Sequence, residues 1–424
     1  MKTTRFFFIS ACVINFCYLI LTFFFFYLLD SPIMNKDNND FLTFYTAGLI
    51  VIKDLSNLYN PSKYLFPFRY FPISAYIFTP FSMLGFEVGY FVFQIFNFLL
   101  NIIIIYLIYR IIQLYSNLNE ELNLNYKLEN FRDLFNKPEN NSILYQSAIL
   151  IIMLPQFMNY FLGQINTLVS LFILTSVFYF LKEDDKSNFI GGLMLGFGIL
   201  IKPTLILLIP FILPLYYSKT TKKIDFQIKT IFIRLSGISI LMLISSIYFI
   251  ISPKLLEGFI EVNFTGNYTT TIGNLDINAS FSLTRNLFTL FQLIEFNVNY
   301  FILFLIVILL FMLPILIYFV LSSNKTNRLI DGYLIGISII LITYYDSWPH
   351  YLIILTPFII LFILLNKNFK FYRTIRFIHW FLVILVVLSW GIFYLTYEFF
   401  PFNLCGLILL LLLYFSLIIF YKQQ

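Results

Sequence analysis

Apolar runs of about 17–25 residues recur from one end of the chain to the other, each long enough to cross a hydrocarbon core about 30 Å thick as a helix. They fall at 6–28, 82–110, 143–160, 165–182, 188–202, 203–217, 229–251, 299–321, 328–345, 350–366, 376–397 and 403–421. This pattern predicts an all-α integral membrane protein, a polytopic helical bundle of about 12 transmembrane helices. The two runs meeting at Lys202-Pro203 are short, so 188–217 is either two spans or one re-entrant hairpin. After the first run, Phe41 to Lys53 is apolar and helix-compatible but too short to span, which predicts a helix lying in the membrane interface. The runs leave no room for a soluble domain, so residues 1–424 read as a single transmembrane domain.

Composition agrees: 60% of the residues are hydrophobic and 11% charged, with a mean hydropathy of +0.87. The loops between runs alternate in Lys/Arg content. Basic residues gather at Lys2/Arg5, in 110–142, at Lys182/Lys186, at Lys219/Lys222/Lys223/Lys229, at Lys325/Arg328, at Lys367/Lys370/Arg373/Arg376 and at Lys422. The positive-inside rule then makes those loops and both termini cytoplasmic. Outside lie 29–81, 161–164, the corner at Lys202, 252–298, 346–349 and 398–402, of which only 29–81 and 252–298 are long. External function falls chiefly on these two loops. The first apolar run exceeds a signal-peptide core and lacks a small-residue cleavage site, so it reads as an uncleaved helix. A net charge of +6 is accounted for by cytoplasmic loops, which points to anionic lipid headgroups and away from nucleic acid. Cys12, Cys17 and Cys405 lie inside predicted spans with no CxxC, so neither a disulfide framework nor a metal site is expected.

Polar residues at the outer ends of helices carry the candidate chemistry. Asp40 begins the short helix of the first external loop, where it is either a helix N-cap or a reactive carboxylate. Tyr45, Arg69 and Tyr70 share that loop, with aromatics suited to the headgroup belt. Gln164 and Asn166 lie in an outer turn, either satisfying its backbone or facing a substrate. Lys202 either snorkels to the interface or holds a phosphate as a point charge. Arg285 sits among hydroxyls, capping a helix or binding phosphate or sugar, and the turn with Trp348 and His350 offers a ring to stack on and a titratable group. Sequons at Asn263, Asn267 and Asn278 are frequent by chance in so Asn-rich a chain.

In order along the chain stand Asp40-x4-Tyr45-x2-Gly48, Leu58-Tyr59-Asn60-Pro61, Tyr70-Phe71-Pro72 with Pro80, Gly163-Gln164-Ile165-Asn166-Thr167, Gly191-Gly192-Leu193-x2-Gly196, Ile201-Lys202-Pro203, Ser282-Leu283-x-Arg285 and His350-Tyr351-x5-Pro357. This series resembles the polyprenyl-phosphate-sugar-dependent glycosyltransferases of family 87, in the GT-C superfamily. The resemblance implies a GT-C bundle with a catalytic carboxylate in the first external loop, which falls on Asp40. It further implies transfer of a hexose, mannose by family analogy, from a polyprenyl-phosphate donor to a lipid-linked or cell-envelope glycan outside the membrane.

One base suffices for such an inverting transfer, because phosphate leaves as a stable anion and needs no acid. Positive charge where the phosphate accumulates would come from Lys202, Arg285 and His350, with Tyr45, Arg69, Tyr70, Gln164, Asn166 and Trp348 as further substrate contacts. No cofactor is expected. The alternatives are a transporter of polysaccharide or lipid-linked oligosaccharide, which would favour internal repeats and charges at mid-membrane, and a polymerase or ligase of undecaprenyl-linked glycans, in which Asp40 is dispensable. A non-catalytic scaffold is the remaining option.

Overall fold

The computed structural model describes residues 2–28, 39–118, 130–218, 223–264, 279–321, 328–366 and 372–423. Helices dominate. The amino half runs α1 (Lys2–Leu28), α2 (Asp40–Lys53), α3 (Ala75–Ser82), α4 (Phe86–Leu118), α5 (Asp133–Asn136), α6 (Asn141–Ile152), α7 (Leu154–Leu162), α8 (Asn166–Phe180), α9 (Asp185–Ile201) and α10 (Ile209–Ile212). Two short antiparallel strands follow, β1 (Leu215–Ser218) and β2 (Lys223–Phe226), with Leu215 opposite Phe226. The carboxyl half runs α11 (Ile228–Ile251), α12 (Pro253–Phe264), α13 (Leu283–Leu293), α14 (Tyr300–Leu321), α15 (Arg328–Thr343), α16 (Leu352–Leu365), α17 (Tyr372–Thr396) and α18 (Leu404–Gln423).

Six of these segments are long and apolar enough to cross a membrane: Lys2–Phe26, Phe86–Asn117, Pro138–Leu162, Ile228–Ile251, Tyr300–Ile317 and Tyr372–Thr396. Shorter apolar helices accompany them, such as Asn166–Phe180 and Leu329–Thr343. The long helices turn bare side chains outward, as with Phe232, Ile250 and Ile251 of α11, each more than 70% exposed. By contrast, every residue of α16 is buried, which explains its unbroken apolar sequence. Two predicted runs are cut by proline, which cannot donate to a helix and clashes with the preceding turn. Met153 is extended ahead of Pro155, dividing 143–160 into α6 and α7. The stretch 203–217 is not one span: a 3-10 turn at Pro203–Leu208 leads into α10 and then β1, with Pro210 and Pro214 on the way.

Inside a membrane, lipid tails are as apolar as leucine, so helices associate by close packing and polar contacts. Gly192 of α9 and Gly237 of α11 show the first: a Cβ on Gly192 would strike the Arg234 carbonyl, and the Gly237 Cα lies 3.1 Å from its position. The second is seen where Tyr160 donates to Asn15 Oδ1 at 3.0 Å and accepts from Asn101 Nδ2 at 2.8 Å, tying α7 to α1 and α4. In this bundle the start of α2, the α7–α8 turn, the end of α9 and the α15–α16 turn come together at one end.

Candidate active site

The cap of α2 is Asn39, not Asp40. Asn39 accepts the Phe41 N–H at 2.7 Å and donates to the Phe161 carbonyl at 3.1 Å, so it fixes both the helix start and its seat on α7. Asp40, expected as a possible cap, is instead the first helical residue, and its carboxylate is released from capping. Gln164 Nε2 donates to Asp40 Oδ2 at 2.5 Å. That contact depends on Gly163, which ends α7 with φ +66°, a left-handed conformation that glycine adopts without strain. A Cβ there would also come within 2.5 Å of Phe41 Cβ and 2.8 Å of Asn39 Oδ1.

The turn's amides are not spent on its own backbone. Asn97 and Asn159 take the Gln164 carbonyl, each at 3.3 Å, which leaves the Gln164 side chain for Asp40. Asn166 Oδ1 accepts from Lys202 Nζ at 3.0 Å, while Asn166 Nδ2 donates to Asn159 at 3.3 Å. Lys202 closes α9 and turns inward: it is only 7% exposed, and its ammonium stands 2.9 Å from the centre of the Tyr351 ring. His350 is buried in the one-turn Pro349–Tyr351 helix, edge-on to Tyr351 at 4.7 Å and parallel to Trp348 at 6.4 Å.

Arg69 reaches across the fold to pair with Asp346 and to donate to the Tyr345 hydroxyl. Its guanidinium also lies 4.9 Å from the Tyr345 ring centre. The next residues anchor the loop. Tyr70 packs on Phe68 at 5.2 Å and Phe44 at 5.6 Å, and the Phe71 N–H donates to the Leu200 carbonyl at 3.1 Å, beside Lys202. Asp346 lies near enough to both Asp40 and Lys202 for their charges to interact. Burial pushes the Asp40 carboxyl up to about 7, with the negative Asp346 adding to the rise and the Gln164 hydrogen bond opposing it. A carboxylate so tuned exchanges a proton near neutrality.

Two expected residues stand apart. Tyr45 packs edge-on against Phe86 at 5.4 Å and beside Phe41 at 6.4 Å, on the α4 side of α2. Arg285 is 1% exposed on α13, where Ser282 caps the helix by accepting its N–H at 3.1 Å. It connects to the group through rings: Arg285 lies 5.8 Å from Phe288, Phe288 5.0 Å from Tyr300, and Tyr300 4.7 Å from Tyr345. Conversely, Asp346, Tyr351 and the Asn39 cap belong to the group although no role was expected of them. The one signal for Asp346 was a second carboxylate at an outer helix end. Of the sequons, Asn263 donates to the Phe259 carbonyl within α12 at 3.0 Å, and Asn267 and Asn278 lie outside the described residues.

Among curated proteins no relative matches the chain. The profile of glycosyltransferase family 87 matches residues 68–343, which takes in Arg69, the Gln164–Asn166 turn, Lys202 and Arg285. Asp40 precedes the matched stretch, and Asp346 and His350 follow it directly. The match covers well over half of the 424 residues, in a predominantly helical fold with six apolar segments of membrane-crossing length among the described residues, and the chain therefore belongs to glycosyltransferase family 87 and is a membrane glycosyltransferase.

Proposed function

We propose that the protein transfers a hexose, mannose by family analogy, from a polyprenyl-phosphate donor to a lipid-linked or cell-envelope glycan, inverting the anomeric centre, with Asp40 as general base. The acceptor hydroxyl oxygen bonds to the anomeric carbon as the carbon–oxygen bond to phosphate breaks. The bonding pair leaves with the polyprenyl phosphate, and the hydroxyl proton passes to Asp40. Lys202 and His350 face the departing phosphate with Arg285 further out, while Arg69, Tyr70, Gln164, Asn166 and Trp348 line the substrates and Tyr45 supports α2. Preorganised positive charge and donors stabilise the developing anion. In this reading the whole chain acts as one transmembrane unit with α2 lying in the interface, and the Lys/Arg asymmetry supports cytoplasmic termini and a reaction on the external side.

The observation that carries this reading is the Asp40–Gln164 contact beside the Lys202–Asn166 contact, a base and a cation supported by two residues of one turn. A donor with an isoprenoid tail suits such a group at a bundle end, since the tail stays in the bilayer. The test is purified protein in detergent, offered radiolabelled polyprenyl-phosphate-mannose and a lipid extract. Labelled glycolipid formed without nucleotide sugar is the expected result. Formation only with nucleotide sugar overturns the donor assignment, and absence of product beside labelled-lipid movement across vesicles favours a transporter.

A further inference from the structure

The outer end of α17 and the α15–α16 turn meet in an aromatic patch of which the proposed chemistry uses only Trp348. Trp390 and Tyr394 of α17, Tyr397 in the turn just after it, and Trp348 of the α15–α16 turn pack around Phe393 and Ala279. Phe393 and Ala279 form a buried floor, 3% and 0% exposed, whereas the four larger rings are only half-buried. Trp390 and Tyr394 stand 4.7 Å apart at 75°, and Tyr397 lies 6.5 Å from Phe393. The patch borders the reactive group through Trp348, whose ring lies parallel to that of His350, 6.4 Å away at 12°.

Trp390 separates this patch from an ordinary interfacial belt. A belt tryptophan turns its indole N–H toward headgroups and water. Here the indole nitrogen is buried and meets no acceptor among the described residues. A buried donor left unmade is costly, and its presence beside a reactive site calls for an acceptor from a ligand. One face of a pyranose ring presents C–H bonds with positive hydrogens, which suit the negative face of an aromatic ring, while its rim carries hydroxyl oxygens.

We propose that Trp348, Trp390, Tyr394 and Tyr397 form a hexose platform, with a pyranose seated on the aromatic faces and one of its hydroxyls accepting from Trp390 Nε1. The platform rests on the assignment of hexosyl transfer to Asp40, beside which the sugar must sit. The sugar is either the donor's hexose or the acceptor's terminal residue.

Binding is tested without turnover. The chain has three tryptophans, Trp348, Trp380 and Trp390, so Trp380→Phe leaves both remaining emitters in the platform. That protein in detergent is titrated with methyl mannoside, glucoside and galactoside and with a mannose disaccharide. A saturable emission change is expected for at least one of them. It should weaken about tenfold in Tyr394→Leu, about 1.4 kcal/mol, and survive in Tyr394→Phe, which keeps the ring. In Trp390→Phe, followed through Trp348, affinity should fall because the donor is gone. Asp40→Asn should bind as before, so loss of the transfer assignment and loss of the platform are separable. Kinetics assigns the source: a raised acceptor KM in Tyr394→Leu with donor KM unchanged means the acceptor sugar, and the reverse means the donor's. No saturable change with any sugar, or unaltered binding in both Tyr394→Leu and Trp390→Phe, overturns the platform.

Discussion

Gln164 donates to Asp40 across 2.5 Å, joining the first turn of α2 to the α7–α8 turn 124 positions away in the chain. The contact holds one carboxylate oxygen, Oδ2. It also favours the charged form of a carboxyl that burial pushes toward the neutral one.

Asp40→Asn should reduce transfer by at least about 10²-fold, since general-base catalysis contributes about 10²–10⁴-fold. The fold should survive, because Asn39 and not Asp40 caps α2. Donor binding and the thermal unfolding midpoint in detergent should change little. Residual turnover above about a tenth of wild type removes Asp40 from the proton transfer.

The pH profile follows from the same carboxyl, which burial pushes up to about 7. A base works only when deprotonated, so kcat/KM should be flat above that value and fall about tenfold per pH unit below it. Asp346→Asn removes a negative charge that raises Asp40, and the acid limb should move to lower pH. Gln164→Leu removes the bond that favours the carboxylate, and the limb should move the other way. Profiles of the two variants that shift together, or not at all, would dissociate the limb from Asp40.

Much of the fold was legible because spanning helices advertise themselves: α1, α11, α14 and α17 begin and end within a few residues of apolar runs in the sequence, and α4 overruns its apolar run by eight residues. The stretch 203–217 misled because Pro203, Pro210 and Pro214 interrupt an apolar composition that hydropathy averages over. At the site, Asp40, Gln164, Asn166 and Lys202 stood out as polar residues in apolar surroundings. The Arg69–Asp346 pair was hidden, since its partners are 277 positions apart and only the folded chain joins them. Tyr45, expected as a substrate contact, packs edge-on against Phe86, a contact that only the folded chain reveals.

Gly163→Ala should damage both stability and activity. The left-handed conformation costs a residue with a side chain about 1–2 kcal/mol, and the new methyl would crowd Phe41 and Asn39, at 2.5 and 2.8 Å. Because that crowding displaces the α2 start from the turn bearing Gln164, kcat should fall with the unfolding midpoint. A variant with wild-type kcat and midpoint would show that the turn does not set the Asp40–Gln164 distance.

Single cysteines introduced into 29–81 and 252–298 should react with an impermeant maleimide on intact cells, and those in 114–142 only after permeabilisation. The Lys/Arg asymmetry between these loops is the cause. Labelling of 114–142 from outside would place the Asp40 end of the bundle in the cytoplasm and exclude an external acceptor.

Lys202 decides how the donor phosphate is held. Its amine is buried, donates to Asn166 at 3.0 Å and lies over Tyr351; burial pushes its pKa well below the usual lysine value, an effect the negative Asp346 opposes and an entering phosphate would oppose further. A phosphate entering the group would gain a charge-assisted contact worth about 1.5–3 kcal/mol. Lys202→Ala should therefore weaken donor use by one to two orders of magnitude, since about 1.4 kcal/mol is tenfold. Lys202→Gln separates charge from shape: the amide can still donate to Asn166 and preserve the end of α9, but it brings no cation. If the lysine serves only to close the helix, Lys202→Gln keeps wild-type donor KM and kcat. If it binds phosphate, donor KM rises in Lys202→Gln while the unfolding midpoint stays close to wild type, and steady-state kinetics with varied donor distinguishes the two.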